Sequence, residues 1–93
     1  MQQGGYMNFK DIIISKKERF SIGLEEDSGK FYISIPVSNG LVDYEEYYVI
    51  DKSIYENHPD NIEKVRKLIE KYRKQEKDED LFFEPSNKRG VAL

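Results

Sequence analysis

The stretch Arg19–Val37, RFSIGLEEDSGKFYISIPV, decides how this chain is read. Phe20, Ile22 and Leu24 fall on one side of an extended backbone, and Arg19, Ser21, Gly23 and Glu25 fall on the other. That period of two marks a strand buried on one face. Glu26-Asp27-Ser28-Gly29 then supplies turn chemistry, with Gly29 able to take the positive φ that a short hairpin turn requires. Alternation resumes with Phe31, Ile33, Ile35 and Val37 opposite Tyr32, Ser34, Pro36 and Ser38. The two segments therefore pair as an antiparallel hairpin. Pro36 has no ladder donor, so it must stand near a strand end, at a bulge, or with its nitrogen turned away from a neighbour.

Working outward, Asn39-Gly40 is the next hairpin signal, because both residues tolerate the positive φ of a type I′ turn. A third strand follows over about Leu41 to Ile50. Val42, Tyr44, Tyr48 and Ile50 share one of its faces with Glu46, while Asp43, Glu45, Tyr47 and Val49 share the other. A carboxylate among apolar positions implies either a bulge or a specific role for Glu46. On the N-terminal side, the β-branched run Ile12-Ile13-Ile14 within Asp11 to Ser15 suits a short edge strand.

After Asp51 the period lengthens. Asp51 or Ser53 caps a short helical turn through Tyr55, stopped at His58-Pro59 because the residue before proline is driven out of the helical region. Asp60 has the character of an N-cap, with Glu63 three residues on. Ile62, Val65, Leu68, Ile69 and Tyr72 then form the apolar stripe of a helix of four or five turns, ending near Lys77, where Asp78-Glu79-Asp80 oppose the macrodipole. Leu81-Phe82-Phe83 folds back on the sheet, and Pro85 to Gly90 is a loop. The expected fold class is α+β: an antiparallel three- to four-stranded meander with one long C-terminal amphipathic helix packed on one face.

Ninety-three residues leave room for one small domain. It is expected over residues 8–93, preceded by a flexible or artificially appended N-terminus at 1–7. With 38% hydrophobic and 35% charged residues, the chain is too apolar for wholesale disorder and too polar for a membrane protein. No apolar run approaches the ~20 residues of a bilayer span. A secretory signal pattern is missing as well, so cytoplasmic residence is expected. The absence of cysteine excludes disulfides, thiolate nucleophiles and Cys-based zinc sites. His58 stands alone in a loop, Asp78, Glu79, Asp80 and Glu84 lack the spacing of a calcium loop, and no glycine pair has a phosphate-cradle context. No metal and no cofactor are expected.

The net charge of −3 is unevenly spread. Residues 1–59 carry six Lys/Arg against ten Asp/Glu, a net −4; residues 60–77 carry seven against four, a net +3; residues 78–93 carry two against four, a net −2. Such segregation bears on partners and association rates. Asp43 and Glu45 on one strand face are candidates for paired acid/base work, but no nucleophile or cation accompanies them, so a small enzyme or accessory subunit is the alternative reading. Lys64, Lys67, Lys71 and Lys74 form a helical stripe able to track phosphates, and a nucleic-acid-binding regulator is a second alternative, disfavoured by the acidic balance. The most informative stretch is Asp43-Tyr44-Glu45-Glu46-Tyr47-Tyr48. Tyrosine supplies rigid amphipathic contact area, and clustered carboxylates attract a basic partner.

The run Tyr32–Tyr48, YISIPVSNGLVDYEEYY, and more loosely the Lys88-Arg89-Gly90 end, resemble small bacterial proteins of the polymorphic or contact-dependent toxin immunity type. The resemblance implies a small, acidic, cytoplasmic protein that neutralises a basic toxin domain by covering its active site or an adjoining surface. That class has no shared catalytic motif, so no residue role is carried over. The resulting expectation is a non-enzymatic protein-binding domain in which Asp43, Glu45 and Glu46 contact Lys/Arg of the partner and Tyr47 supplies an apolar anchor.

Overall fold

The computed structural model describes residues 7–85 and 87–93, so the N-terminal extension expected over 1–7 lies outside the described residues apart from Met7. Four strands form an antiparallel meander in chain order: β1 (Phe9–Ser15), β2 (Phe20–Glu25), β3 (Lys30–Ser38) and β4 (Asp43–Ile50). A short helix α1 (Lys52–Glu56) leads into the principal helix α2 (Ile62–Arg73). A two-residue strand, β5 (Val91–Ala92), pairs with the end of β3. The architecture is α+β.

The hairpin at the centre pairs Ile22 with Ile33 and Leu24 with Phe31, and β4 sets Tyr48 and Ile50 against Ile33 and Phe31. Cross-strand partners share a face, so these apolar residues form one surface. Ile54, Val65, Ile69 and Tyr72 pack onto it, completing a core in which Ile22, Ile33, Tyr48 and Val65 are wholly buried. Tyr48 and Tyr72 stack with centroids 3.9 Å apart. The stripe at three- and four-residue spacing thus meets the face with a period of two.

Three expectations are corrected. Helix α2 is shorter than expected and is not the C-terminal element. It begins at Ile62 after Asn61, whose side-chain amide donates instead to Ile54 O at 3.0 Å. It ends at Arg73 because Gln75 takes φ 60°, with its N–H on Tyr72 O and that of Glu76 on Lys71 O. That is a Schellman ending, and Tyr72 is the last apolar residue of the stripe, so nothing further on rewards another turn. Second, Asn39-Gly40 does not make a two-residue turn. Only Gly40 has positive φ (88°), and the Asn39 side chain accepts from Leu41 N at 2.9 Å and Val42 N at 3.0 Å, an Asx turn that opens a four-residue loop before β4 starts at Asp43. Third, β2 is buried on both faces. Tyr32 lies across Gly23, where a Cβ would meet the tyrosine Oη at 2.6 Å and collide with Lys10 O.

Pro36 pairs with Glu45 well inside β3. Its carbonyl accepts from Leu93 N at 3.1 Å, so its nitrogen points to the same side, into the seam between the start of β2 and β5. The missing donor therefore faces a gap in the ladder, as its chemistry requires. Leu81 and Phe82 dock on the outer edge of β4, with a bridge between Leu81 and Tyr48 and a bond from Phe82 N to Tyr47 O at 3.0 Å.

Candidate protein-binding face

Strand parity divides the expected contact residues between two surfaces. Asp43, Glu45 and Tyr47 pair with Ser38, Pro36 and Ser34 and share the face turned away from α2. Glu46 pairs with Ile35 on the helix side and is 8% exposed. Arg89 grips it with a bidentate fork, Nε to Oε2 at 2.7 Å and Nη2 to Oε1 at 3.1 Å. The same guanidinium holds Asp78 at 2.8 and 3.0 Å, and Tyr48 Oη donates to Glu46 Oε1 at 2.9 Å. Glu46 is thus engaged inside the molecule, because an ion at a core position must be paired to be tolerated. Burial first, and then the hydrogen bond to Glu46, push the Tyr48 hydroxyl upward, while the hydrogen bonds to Glu46 and then Asp78 push the Arg89 guanidinium upward.

Tyr47 is likewise committed. Its ring stacks on Phe9 at 3.6 Å, and Tyr32 and Phe82 meet Phe9 edge-on, each at 5.2 Å. This aromatic cluster covers one part of the outer face and gives the sheet a small second core. Edge-to-face contacts of this kind stabilise beyond their buried area. Tyr47 therefore supports the site more than it projects from it.

Asp43 and Glu45 are exposed, and no lysine or arginine among the described residues pairs with either. Asp11 on β1 joins them. The register carries it across Gly23 to Tyr32, whose hydroxyl donates to Asp11 Oδ1 at 2.5 Å. The Glu45 carboxyl is pushed upward, first by desolvation against the sheet and last by the charge of Asp11, with a Ser34 hydrogen bond working the other way. Beside Glu45 an open groove of about 360 Å³ has Ile14, Pro36 and Leu93 in its lining. At the near end of β4, Leu41 is 85% and Val42 57% exposed. Lys16 and Arg19 line the same groove without forming an ion pair with Glu45, and acids with no ion-pair partner among the described residues thus lie near exposed apolar side chains, the chemistry that a basic, partly apolar surface complements.

Asp11 had no signal in the sequence, since the bulge between Asp11 and Ile13 breaks the parity that would have assigned its face. The partner of Glu46 did have one. An acid at a core position calls for a cation, and Arg89 lies in the segment after α2. The remaining candidates are spread elsewhere. Lys64, Lys67, Lys71 and Lys74 stay on the exposed surface of α2, Lys74 within 3.3 Å of Glu70. His58 stands edge-on to Phe20. No helix among the described residues is long and apolar enough to cross a membrane. Compared with protein-family models, with curated proteins and with solved structures, the chain matches none.

Proposed function

We propose that the chain is a non-enzymatic protein-binding domain, most concretely a cytoplasmic immunity protein that neutralises a cognate bacterial toxin by direct binding. The observation that supports this reading is the outer sheet face, where Asp43, Glu45 and Asp11 have no basic partner among the described residues and border exposed Leu41, Val42 and Ile14. Unpaired surface carboxylates steer a basic partner and accelerate encounter, while neighbouring apolar groups supply contact area once docked. Asp43 and Glu45 face Lys/Arg of the toxin, Tyr47 stiffens the strand beneath them through Phe9, and Leu41 and Val42 provide the apolar contacts.

The test is binding to the toxin domain encoded next to this chain's gene, measured for the protein and for Asp43→Asn plus Glu45→Gln. The reading expects association to slow by about tenfold or more at low salt, with the difference shrinking as salt rises. Unchanged affinity and association rate remove this face from the interface. Glu56→Gln serves as the control, because its carboxylate is exposed on α1, away from this face, and pairs only on the surface with Lys52.

A further inference from the structure

The hairpin between β1 and β2 is Lys16-Lys17-Glu18-Arg19, and the fold brings this turn against the flank of α2. Arg66 reaches across to Glu18, Nε to Oε1 at 2.8 Å and Nη2 to Oε2 at 3.1 Å, and Arg73 Nη2 donates to Glu18 O at 2.6 Å. Between them lies an open cleft of about 510 Å³ whose walls include Lys17, Arg19, Arg66 and Arg73, with Ile69 and Leu93 as an apolar side. Its two acids are engaged: Glu18 by Arg66, and Glu70 by Lys74 at 3.3 Å. Lys17, Arg19 and Arg73 have no carboxylate within ion-pair distance among the described residues. The excess positive charge is therefore local to this cleft, in a chain that is acidic overall.

We infer that this cleft is a binding site for a small polyanion of the phosphate class, an oligophosphate either free or carried by a nucleotide. Guanidinium groups present planar forks that match phosphate oxygens, and a single carboxylate would leave at least two of the three uncompensated cations unmet. Arg19 adds a further mark. It takes φ 58°, a left-handed conformation in which a side chain other than glycine is strained. From this turn position its side chain lines the cleft. The cleft shares Arg19 and Leu93 with the groove beside Glu45 but takes neither Asp43 nor Glu45 into its lining, does not depend on the toxin-binding reading, and uses arginines that the lysine-stripe alternative leaves out.

The experiment is a titration of the ¹⁵N-labelled full chain with tripolyphosphate, with a nucleoside triphosphate, and with a single-stranded RNA oligonucleotide, read by amide and arginine side-chain shifts. Saturating shifts at Lys17–Arg19 and at the Arg66 and Arg73 side chains are expected with tripolyphosphate. Tighter binding of the nucleoside triphosphate identifies a nucleotide as the source of the phosphates, and equal binding identifies the free oligophosphate. Lys17→Gln plus Arg19→Gly removes two cations while easing the turn, and lowers affinity by about tenfold or more. Lys64→Gln plus Lys67→Gln leaves affinity within about twofold, as two charges outside the cleft should. Absence of saturation at millimolar tripolyphosphate, equal losses in the two double variants, or preferential RNA binding that depends on the lysine stripe would each overturn the inference.

Discussion

Replacing Arg89 by alanine is the sharpest probe of how the sheet, the helix and the C-terminal segment are held together. The Arg89 side chain is 12% exposed and that of Glu46 8%, whereas that of Asp78 is 40% exposed. Truncation leaves Glu46 at a core position with only the Tyr48 hydroxyl as donor among the described residues, and removing one member of a buried pair costs about 3–5 kcal/mol. The half of the fork on Asp78 adds little, because that carboxylate rehydrates once released. A loss near the lower bound, about 3 kcal/mol, follows, and for a domain of this size it lowers Tm by about 12–24 °C. Urea and thermal unfolding followed by circular dichroism measure it. Arg89→Lys keeps the charge without the fork and falls between the two. The double variant Glu46→Gln plus Arg89→Met loses less than the sum of its singles, since each single already breaks the same pair. A loss below about 1 kcal/mol for Arg89→Ala, or additivity in the cycle within about 0.5 kcal/mol, refutes the reasoning.

Acid unfolding should report Glu25. Burial alone would raise its carboxyl, but bonds from Ser28, Asn8 and Asp27 overcome this and hold it at about 2 instead of the ordinary 4.5. A depressed folded value stabilises above pH 4.5 and is lost as pH falls towards 2, so the protein should lose stability across that window while Glu25→Gln, weaker at neutral pH, shows a flatter acid limb; parallel limbs would exclude Glu25 as the cause. Gly23→Ala forces a Cβ against Tyr32 and Lys10 O and should cost about 2–4 kcal/mol in urea unfolding, with a cost under about 1 kcal/mol counting against the overlay. Gln75→Gly relieves the left-handed Schellman position and should gain about 0.5–1 kcal/mol despite giving up the 3.3 Å bond to Gly90 O; a net loss would mean that bond matters more than the backbone.

The central hairpin, the Gly29 turn, the apolar stripe and the docking of Leu81-Phe82 were legible because each rests on periodicity or on a residue with restricted φ. What escaped depends on contacts distant in sequence. The polar side of β2 was read as solvated because Ser21, Gly23 and Glu25 look solvent-facing one at a time, yet Tyr32 lies across Gly23 and three main-chain N–H groups enclose Glu25. Among the candidate contact residues, the parity of β4 correctly put Asp43, Glu45 and Tyr47 together. It also put Glu46 on the other face, but not the arginine that makes that position tolerable. The basic cleft was hidden for another reason. Its turn lies in a segment that is acidic on average, and only the fold sets Arg19 beside Arg66 and Arg73.

Pro36 and β5 bear on how the chain emerges from the ribosome. The seam beside Pro36 is closed by Val91 and Ala92, 53 and 55 positions beyond their partners Ser38 and Val37, hence made well after the strand they cover. Until they arrive, the meander exposes a short open slot on a central strand, the kind of site at which nascent chains capture one another. Proline removes one donor from that slot. A stray strand entering there finds an incomplete ladder, whereas the chain's own segment pairs through Val37 and Ser38 and asks of Pro36 only the carbonyl that Leu93 N uses, so the residue that interrupts the sheet also disfavours foreign strands in the slot.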